Sequence, residues 1–520
     1  MKTLPKLKNM YLISALATIG GLLQGFDVAA MSAIIGTHQY KTYFRSPGSV
    51  LQGGITASMA GGSFCGALAS NLTADRLGRR DSMAYACVIY IAGCAIMCSA
   101  QNVAQLIVSR IVNGFAVGIL SSQAPMYIAE ISTPNRRGRL ISFQNWMITW
   151  GSLIFYFLSY GTSFLQSTAS FRLPWGLQML PAWILLVAVP SMPRSPRWLT
   201  SKDRGNEALR VLADLHAKGD TMDPLVHCEL QEILQKIQQE RSFDSSSWLE
   251  LVRKHNIVRV HCAMFVHIWS QFSGFNVLSY YIVYVFSMAG IQGNQALLSA
   301  SLLYVISTVS RFLAVLFLDR WRRRWTLMTG STFSMIFLFS VAGLMAAYGH
   351  AVPGGLDGVP AVTWAMDQPA ASKAVIACSY LFVVAYAPTW GPIAWLYPPE
   401  IIPLYIRAKT VSVATALNWA CNFALTFFTP TAFQHIQWRT FVIFGVFNVA
   451  SLIHAFCFFQ ETKGKTLEEM DEVFSQGLWA FKVEYQESRL VQDVEMTKQN
   501  IKAGRETAVK PDFAHMEVPH

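Results

Sequence analysis

Twelve stretches of this chain are dominated by apolar residues for nineteen or more positions, with polar and charged residues gathered between them. They fall at 11–35, 51–74, 82–100, 105–128, 140–166 and 174–192, then after a gap at 258–288, 296–318, 327–348, 373–396, 410–432 and 438–460. At ~1.5 Å rise per residue, a helix over each stretch crosses a hydrocarbon layer of about 30 Å. Lipid offers backbone amides no partner, so spans of this kind must be helical and the chain reads as an all-α membrane protein. The gap at 193–256 is polar and carries two amphipathic patterns, Asn206 to Ala217 and Pro224 to Glu240. A charged tail of sixty residues follows Gln460 and is expected to be disordered past its first part. The expected organisation is a six-helix bundle over 1–192, linker helices over 193–256, a second six-helix bundle over 257–460 and a tail over 461–520.

The polar loops give the spans a direction. Arg76, Arg79, Arg80, Arg136, Arg137, Arg139, Arg320, Arg322, Arg323, Arg324, Arg407 and Lys409 all fall on one side, against Lys41, Arg45, Arg172, Lys373 and Arg439 on the other. The basic side is expected to be cytoplasmic, with both termini and the linker. The one glycosylation sequon, Asn71-Leu72-Thr73, then lies at the cytoplasmic end of a span and is expected to go unused. The loops also repeat. Asp75-Arg76-Leu77-Gly78-Arg79-Arg80 follows the second span and Asp319-Arg320-Trp321-Arg322-Arg323-Arg324 the eighth. Glu130 and Arg137 follow the fourth span and Glu400 and Arg407 the tenth, at one spacing. Two parallel halves of six spans are a transporter signature, with the substrate held between them near the midplane.

Composition narrows the class further. The chain is 53% apolar and 14% charged, unlike a soluble protein of 520 residues. Its net charge of +11 sits at the ends of apolar runs, which points to membrane topology and not to nucleic acid. The nine cysteines have neither disulfide nor metal-ligand spacing and read as small core residues. The first apolar run is too long for a cleavable signal. No nucleophile–base, metal or nucleotide-binding pattern appears, and the glycine stretches lack a phosphate loop's lysine. An enzyme is not expected, and no cofactor.

Within the first run, Gly20-Gly21-Leu22-Leu23-Gln24-Gly25-Phe26-Asp27 places a carboxylate ~24 Å from its start. An acid at that depth costs several kcal/mol unless it is paired, protonated or wet, and so marks function. We read Asp27 as a proton-binding acid in a transport path. Arg110 on the fourth span lies at a similar depth and is its natural partner; the alternative is a purely structural ion pair. Arg311 sits in the eighth span, eight residues before Asp319 and so ~12 Å from the basic end. Its simplest reading is a side chain snorkelling to that end, and the sharper one an anion partner in the path.

These residues resemble the sugar porter family of the major facilitator superfamily, and fungal hexose transporters in particular, from about Tyr11 to Phe474. The resemblance rests on seven motifs in order: the glycine stretch ending at Asp27, both Asp-Arg loops, Arg110 to Leu140, Pro193 to Leu199, Gln271 to Tyr281, Gly391 to Arg407 and Glu461 to Glu469. It implies two six-helix bundles rocking about a central site. It also implies a proton-coupled monosaccharide symporter, expected to work as a monomer, in the plasma membrane. Proton symporters of the family carry an acid and an arginine at the positions of Asp27 and Arg110. Matching sugar-contacting positions are Gln271, Asn276, Trp395, Asn418, Trp419 and Asn422, with Asn145 at a fifth-span glutamine position. Tyr280 and Tyr281 fall at the outer gate. Asp75, Arg79, Glu130, Arg137, Asp319, Arg323, Glu400 and Arg407 fall in the inter-helix ion pairs of the inner gate.

The chain departs from the family at Arg322, Arg194, Ser270, Asn145 and Ser307. The last three shorten polar arms and are expected to enlarge the pocket or admit water. Two other readings follow: a drifted paralogue carrying another polyhydroxylated or acidic molecule, and a non-transporting sugar sensor, for which the tail is short.

Overall fold

The computed structural model describes residues 7–132, 134–242, 248–291, 293–356, 359–463, 467–475, 477 and 479–483. The tail past 483 and the side chains of Arg137 and Asp319 lie outside the described residues.

Each of the twelve apolar stretches is helical. The first is α1 (Met10–Ala17) with α2 (Ile19–Ala29). Asn9 caps it, its side-chain oxygen accepting from the Tyr11 amide at 2.9 Å. After the short α3 (His38–Tyr43) come α4 (Ser49–Leu77), α5 (Arg79–Cys98), α6 (Val103–Ile131) and α7 (Pro134–Thr162). The sixth stretch forms α8 (Ala169–Leu177) and α9 (Met179–Ala188). The linker contains α10 (Pro196–Ser201), α11 (Gly205–His216) and α12 (Pro224–Ser242), the last two on the expected amphipathic patterns. The second set comprises α13 (Lys254–Phe272), α14 (Phe275–Met288), α15 (Gly293–Phe317), α16 (Arg323–Tyr348), α17 (Pro369–Tyr386), α18 (Trp390–Ile401), α19 (Leu404–His435) and α20 (Arg439–Phe458), followed by α21 (Leu467–Ser475).

Among the described residues, nine helical segments are long and apolar enough to cross a membrane. The chain is an all-α, multi-pass membrane protein. Those nine omit α4, α7 and α13–α14. The sequence of α4 is diluted by glycine, serine and threonine, and α7 begins in an arginine-rich loop. Gly274, at φ +92°, parts α13 from α14 by a left-handed turn that only glycine adopts freely. One element departs from the all-α pattern: β1 (Gly349–Ala351) pairs antiparallel with β2 (Trp364–Met366) between α16 and α17.

Glycines set how closely the helices approach. A methyl group on Gly25 of α2 would run into the Ile148 carbonyl of α7, and one on Gly62 of α4 into the Ile111 carbonyl of α6. Such backbone-to-backbone contact replaces the hydrophobic drive that lipid cannot supply. It seats α2, which carries Asp27, on α7, and α4 on α6, which carries Arg110.

The linker docks on the first set of helices at their basic end. Trp198 donates its indole N–H to the Asp75 carbonyl at 3.3 Å, and Lys8 meets Asp214 at 2.8 Å. His216 ties three elements together, with Nδ1 2.6 Å from Glu229 Oε2 on α12 and Nε2 3.2 Å from the Ile131 carbonyl on α6. Both neighbours are acceptors, so the doubly protonated imidazolium satisfies both bonds. Burial alone lowers the pKa of His216, but Glu229 and the Ile131 carbonyl carry it above the ordinary 6.5. A group raised in the folded state stabilises fully below its unfolded value and loses that contribution as pH climbs through the folded one. Amide exchange in α11, corrected for its intrinsic pH dependence, is therefore expected to speed up a few-fold as pH rises from about 6.5 into the alkaline range. In His216→Gln this dependence vanishes. A variant that kept the same pH profile would disprove the latch.

Candidate functional site

Between the two sets of helices lies a chamber lined from α2, α7, α13, α14, α15, α17, α18 and α19. All seven sugar-contacting positions read from the sequence line it: Asn145, Gln271, Asn276, Trp395, Asn418, Trp419 and Asn422. Gln271 is their hub. Its Nε2 donates to Asn418 Oδ1 at 2.8 Å, while its Oε1 accepts from Asn276 Nδ2 at 2.7 Å and Asn422 Nδ2 at 3.0 Å. Four amides from three helices are thus held in one network, with the indole N–H of Trp419 left as a buried donor without a partner. Neutral donors and acceptors beside tryptophan faces suit a polyhydroxylated ring or chain.

Ser270, Asn145 and Ser307, where the chain departs from the family pattern, also line the chamber. Enlargement is not the outcome at Ser270, because the Tyr386 hydroxyl reaches across to within 2.7 Å of the Ser270 hydroxyl. Tyr386, Gln24, Ser152, Ser279 and Tyr304 are lining residues the sequence reading missed. Gln24 carried a signal, a polar residue three places before Asp27 inside an apolar run. The others look in sequence like ordinary small or aromatic span residues.

Tyr280 lines the chamber with its hydroxyl 3.4 Å from Asn422 Oδ1. Tyr281 does not; it is fully buried and donates to the Thr426 carbonyl at 2.9 Å. On one side of the chamber, Ser32 donates to the Ser279 carbonyl at 2.7 Å and accepts from the Tyr304 hydroxyl at 2.9 Å. Beside the chamber Trp146 donates to the Thr308 carbonyl at 3.0 Å, and nearer the basic end Asn71 donates to the Ser412 hydroxyl at 2.8 Å. These bonds join the two helix sets around the chamber.

Asp27 and Arg110 are both fully buried, with Arg110 Nη1 3.7 Å from Asp27 Oδ1. Neither carboxylate oxygen has a hydrogen-bond partner, and Arg110 Nη2 reaches the Thr56 carbonyl at 3.4 Å. The contact is long for a charge-assisted bond, which runs about 2.7–2.9 Å. Asp27 does not line the chamber, but Gln24 and Val28 beside it on α2 do. Arg311 does not snorkel. Its side chain is buried and lines the chamber, Nη1 lying 3.5 Å from the Asn145 carbonyl.

At the basic end the internal repeat becomes geometry. Arg79 Nε meets Glu130 Oε1 at 3.2 Å, and the Ser195 hydroxyl bonds the other Glu130 oxygen. In the second set Arg323 Nη2 meets Glu400 Oε1 at 3.2 Å, and the Thr462 hydroxyl donates to the other Glu400 oxygen at 2.6 Å. Both clusters lie within one helix set. Arg407 donates to the Ile402 carbonyl at 3.1 and 2.9 Å. Asp75 is exposed, and none of the ion pairs among the described residues includes its carboxylate. Arg194, where the family has glutamate, instead binds Asp81 at 2.9 Å.

Among the described residues no group of three His, Cys, Asp or Glu side chains could hold a metal ion. An amide-lined chamber between two helix sets that hydrogen bonds bridge defines a membrane transporter of a small polar solute. Residues 13–474 match the family described as "Sugar (and other) transporter", and the chain belongs to it. It is 42% identical over 483 residues to a high-affinity glucose transporter of Kluyveromyces lactis, covering 92% of this chain and 88% of that one. It is also 42% identical over 508 residues to the MFS glucose transporter mfs1 of Aspergillus flavus, covering 96% of each. Among solved structures, the proton:xylose symporter XylE bound to 6-bromo-6-deoxy-D-glucose is similar with a TM-score of 0.74 at 26% identity, covering 89% of this chain and 99% of that one. The family read from the seven motifs is borne out.

Proposed function

We propose that this chain is a proton-coupled monosaccharide symporter of the plasma membrane, working by alternating access. The observation that carries the reading is a buried Asp27–Arg110 pair on α2 and α6, with α2 itself lining the sugar chamber through Gln24 and Val28. In this reading α4, α7 and α13–α14 complete twelve spans in two six-helix bundles, 1–192 and 257–460. The basic end, the linker over 193–256 and the tail over 461–520 face the cytoplasm. Gln271, Asn276, Trp395, Asn418, Trp419, Asn422 and Asn145 hold the sugar, and Tyr280 and Tyr281 belong to the outer gate. The Arg79–Glu130 and Arg323–Glu400 clusters brace the inner ends of the bundles while the Asn71 and Trp146 bridges part. Names borne by the relatives, glucose and xylose transporters, support a monosaccharide.

The test is uptake of labelled glucose in cells lacking their own hexose carriers. Accumulation against a gradient, collapsing on addition of a protonophore, is expected. Uptake that merely equilibrates and ignores the protonophore would instead mark a uniporter.

A further inference from the structure

Arg311 supplies the chamber with a charge that a neutral sugar does not use. Among the described residues, the buried Arg110 faces Asp27 at 3.7 Å and the buried Arg323 faces Glu400 at 3.2 Å. Arg311 is buried on the chamber wall and faces no carboxylate among the described residues. Its Nη1 has only the Asn145 carbonyl at 3.5 Å, its guanidinium stands 5.9 Å from the Phe275 ring, and its Nε has no partner. The chamber is also shaped around it, because a β-carbon on Gly391 would come within 3.0 Å of Arg311 Nη2. An arginine is charged at any physiological pH, and an uncompensated charge in a dry interior is costly. An occupant that brought its own negative charge would remove that cost.

We propose that Arg311 is a carboxylate-binding residue of the chamber, which accepts monosaccharide acids, aldonates or uronates, ahead of neutral polyols of the same length. This rests on the monosaccharide reading above and narrows it. The planar guanidinium takes a carboxylate by two parallel N–H bonds, whereas the amides around Gln271 take hydroxyls. A six-carbon acid has both groups.

The test sets two competitors against labelled glucose in cells lacking hexose carriers: gluconate and sorbitol, which share a chain of hydroxyls and differ in the terminal carboxylate. Gluconate is expected to compete at a concentration at least about tenfold lower than sorbitol, and labelled gluconate itself to enter. In Arg311→Gln the gluconate-to-sorbitol ratio is expected to fall back by about that factor, while Arg311→Lys, which keeps the charge but not the fork, retains part of it. Gluconate no better than sorbitol against the unaltered protein overturns the proposal without any variant, and leaves glucose symport standing. An advantage that survives Arg311→Gln overturns it as well. Entry of neither glucose nor gluconate into cells that carry the protein at their surface sinks both this and the monosaccharide reading.

Discussion

Replacing Asp27 by asparagine is expected to abolish concentrative uptake, bringing the accumulation ratio down by at least tenfold, to about one, and removing its sensitivity to protonophore. The carboxylate is fully buried, accepts no hydrogen bond and is balanced by Arg110 alone at 3.7 Å. Were Arg110 to shift by a few ångström as the helices rock, an unpaired carboxylate would be left in a dry setting, at a cost that protonation removes. Proton uptake and the position of the bundle would be linked in this way through one pair of residues. Asparagine has the same shape and no proton to exchange. The measurement is steady-state accumulation beside tracer exchange at equal sugar concentrations, since exchange needs the chamber to alternate but needs no gradient. Exchange without accumulation is the expected pattern. Protonophore-sensitive accumulation persisting in the variant would reduce Asp27 and Arg110 to a structural ion pair.

Gln271→Ala is the second change with a large effect. One side chain gives Asn276, Asn418 and Asn422 their shared partner. Each bond contributes about 1 kcal/mol, and a buried amide left unpaired costs about 1–3 kcal/mol. Losing the hub, and with it the orientation of three further amides, is expected to raise the KM for uptake by about 100-fold or more. Thermal unfolding of the purified protein, with and without sugar, separates this from misfolding. The variant should unfold within a few degrees of the parent yet gain nothing from added sugar. Retained protection by sugar would mean that the amide network is internal scaffolding and the sugar binds elsewhere.

What the sequence disclosed follows the reach of each physical rule. A charged residue in an apolar run is visible at once, so Asp27 and Arg110 could be paired by depth alone. Amides in spans are also legible, and the five named ones line one chamber together with Trp395 and Trp419. Direction about a helix axis was harder to read. Depth alone favoured Arg311 reaching toward the basic end; the structure turns it inward, into room left by Gly391 on another helix. Tyr386 closing on Ser270 depends likewise on packing between distant segments. Partner choice among clustered arginines also eluded the reading. The Glu130 and Glu400 clusters took Ser195 and Thr462 as their hydroxyl partners, one from the linker and the other from the segment after the last span. The β1–β2 hairpin left no mark, because three residues per strand are too few for an alternating pattern.

Asp27 is the one acid among the buried residues described. Were Asp27 the coupling acid, one proton would move per cycle, and this would set a thermodynamic ceiling on accumulation. One charge crossing 100 mV contributes ~2.3 kcal/mol, equivalent to roughly a 50-fold sugar gradient, and each pH unit across the membrane multiplies it about tenfold. For a neutral sugar, voltage and pH both raise the ceiling. For a sugar acid the entering proton cancels the anion's charge, so voltage drops out and the pH difference alone sets how far the cell can concentrate its substrate.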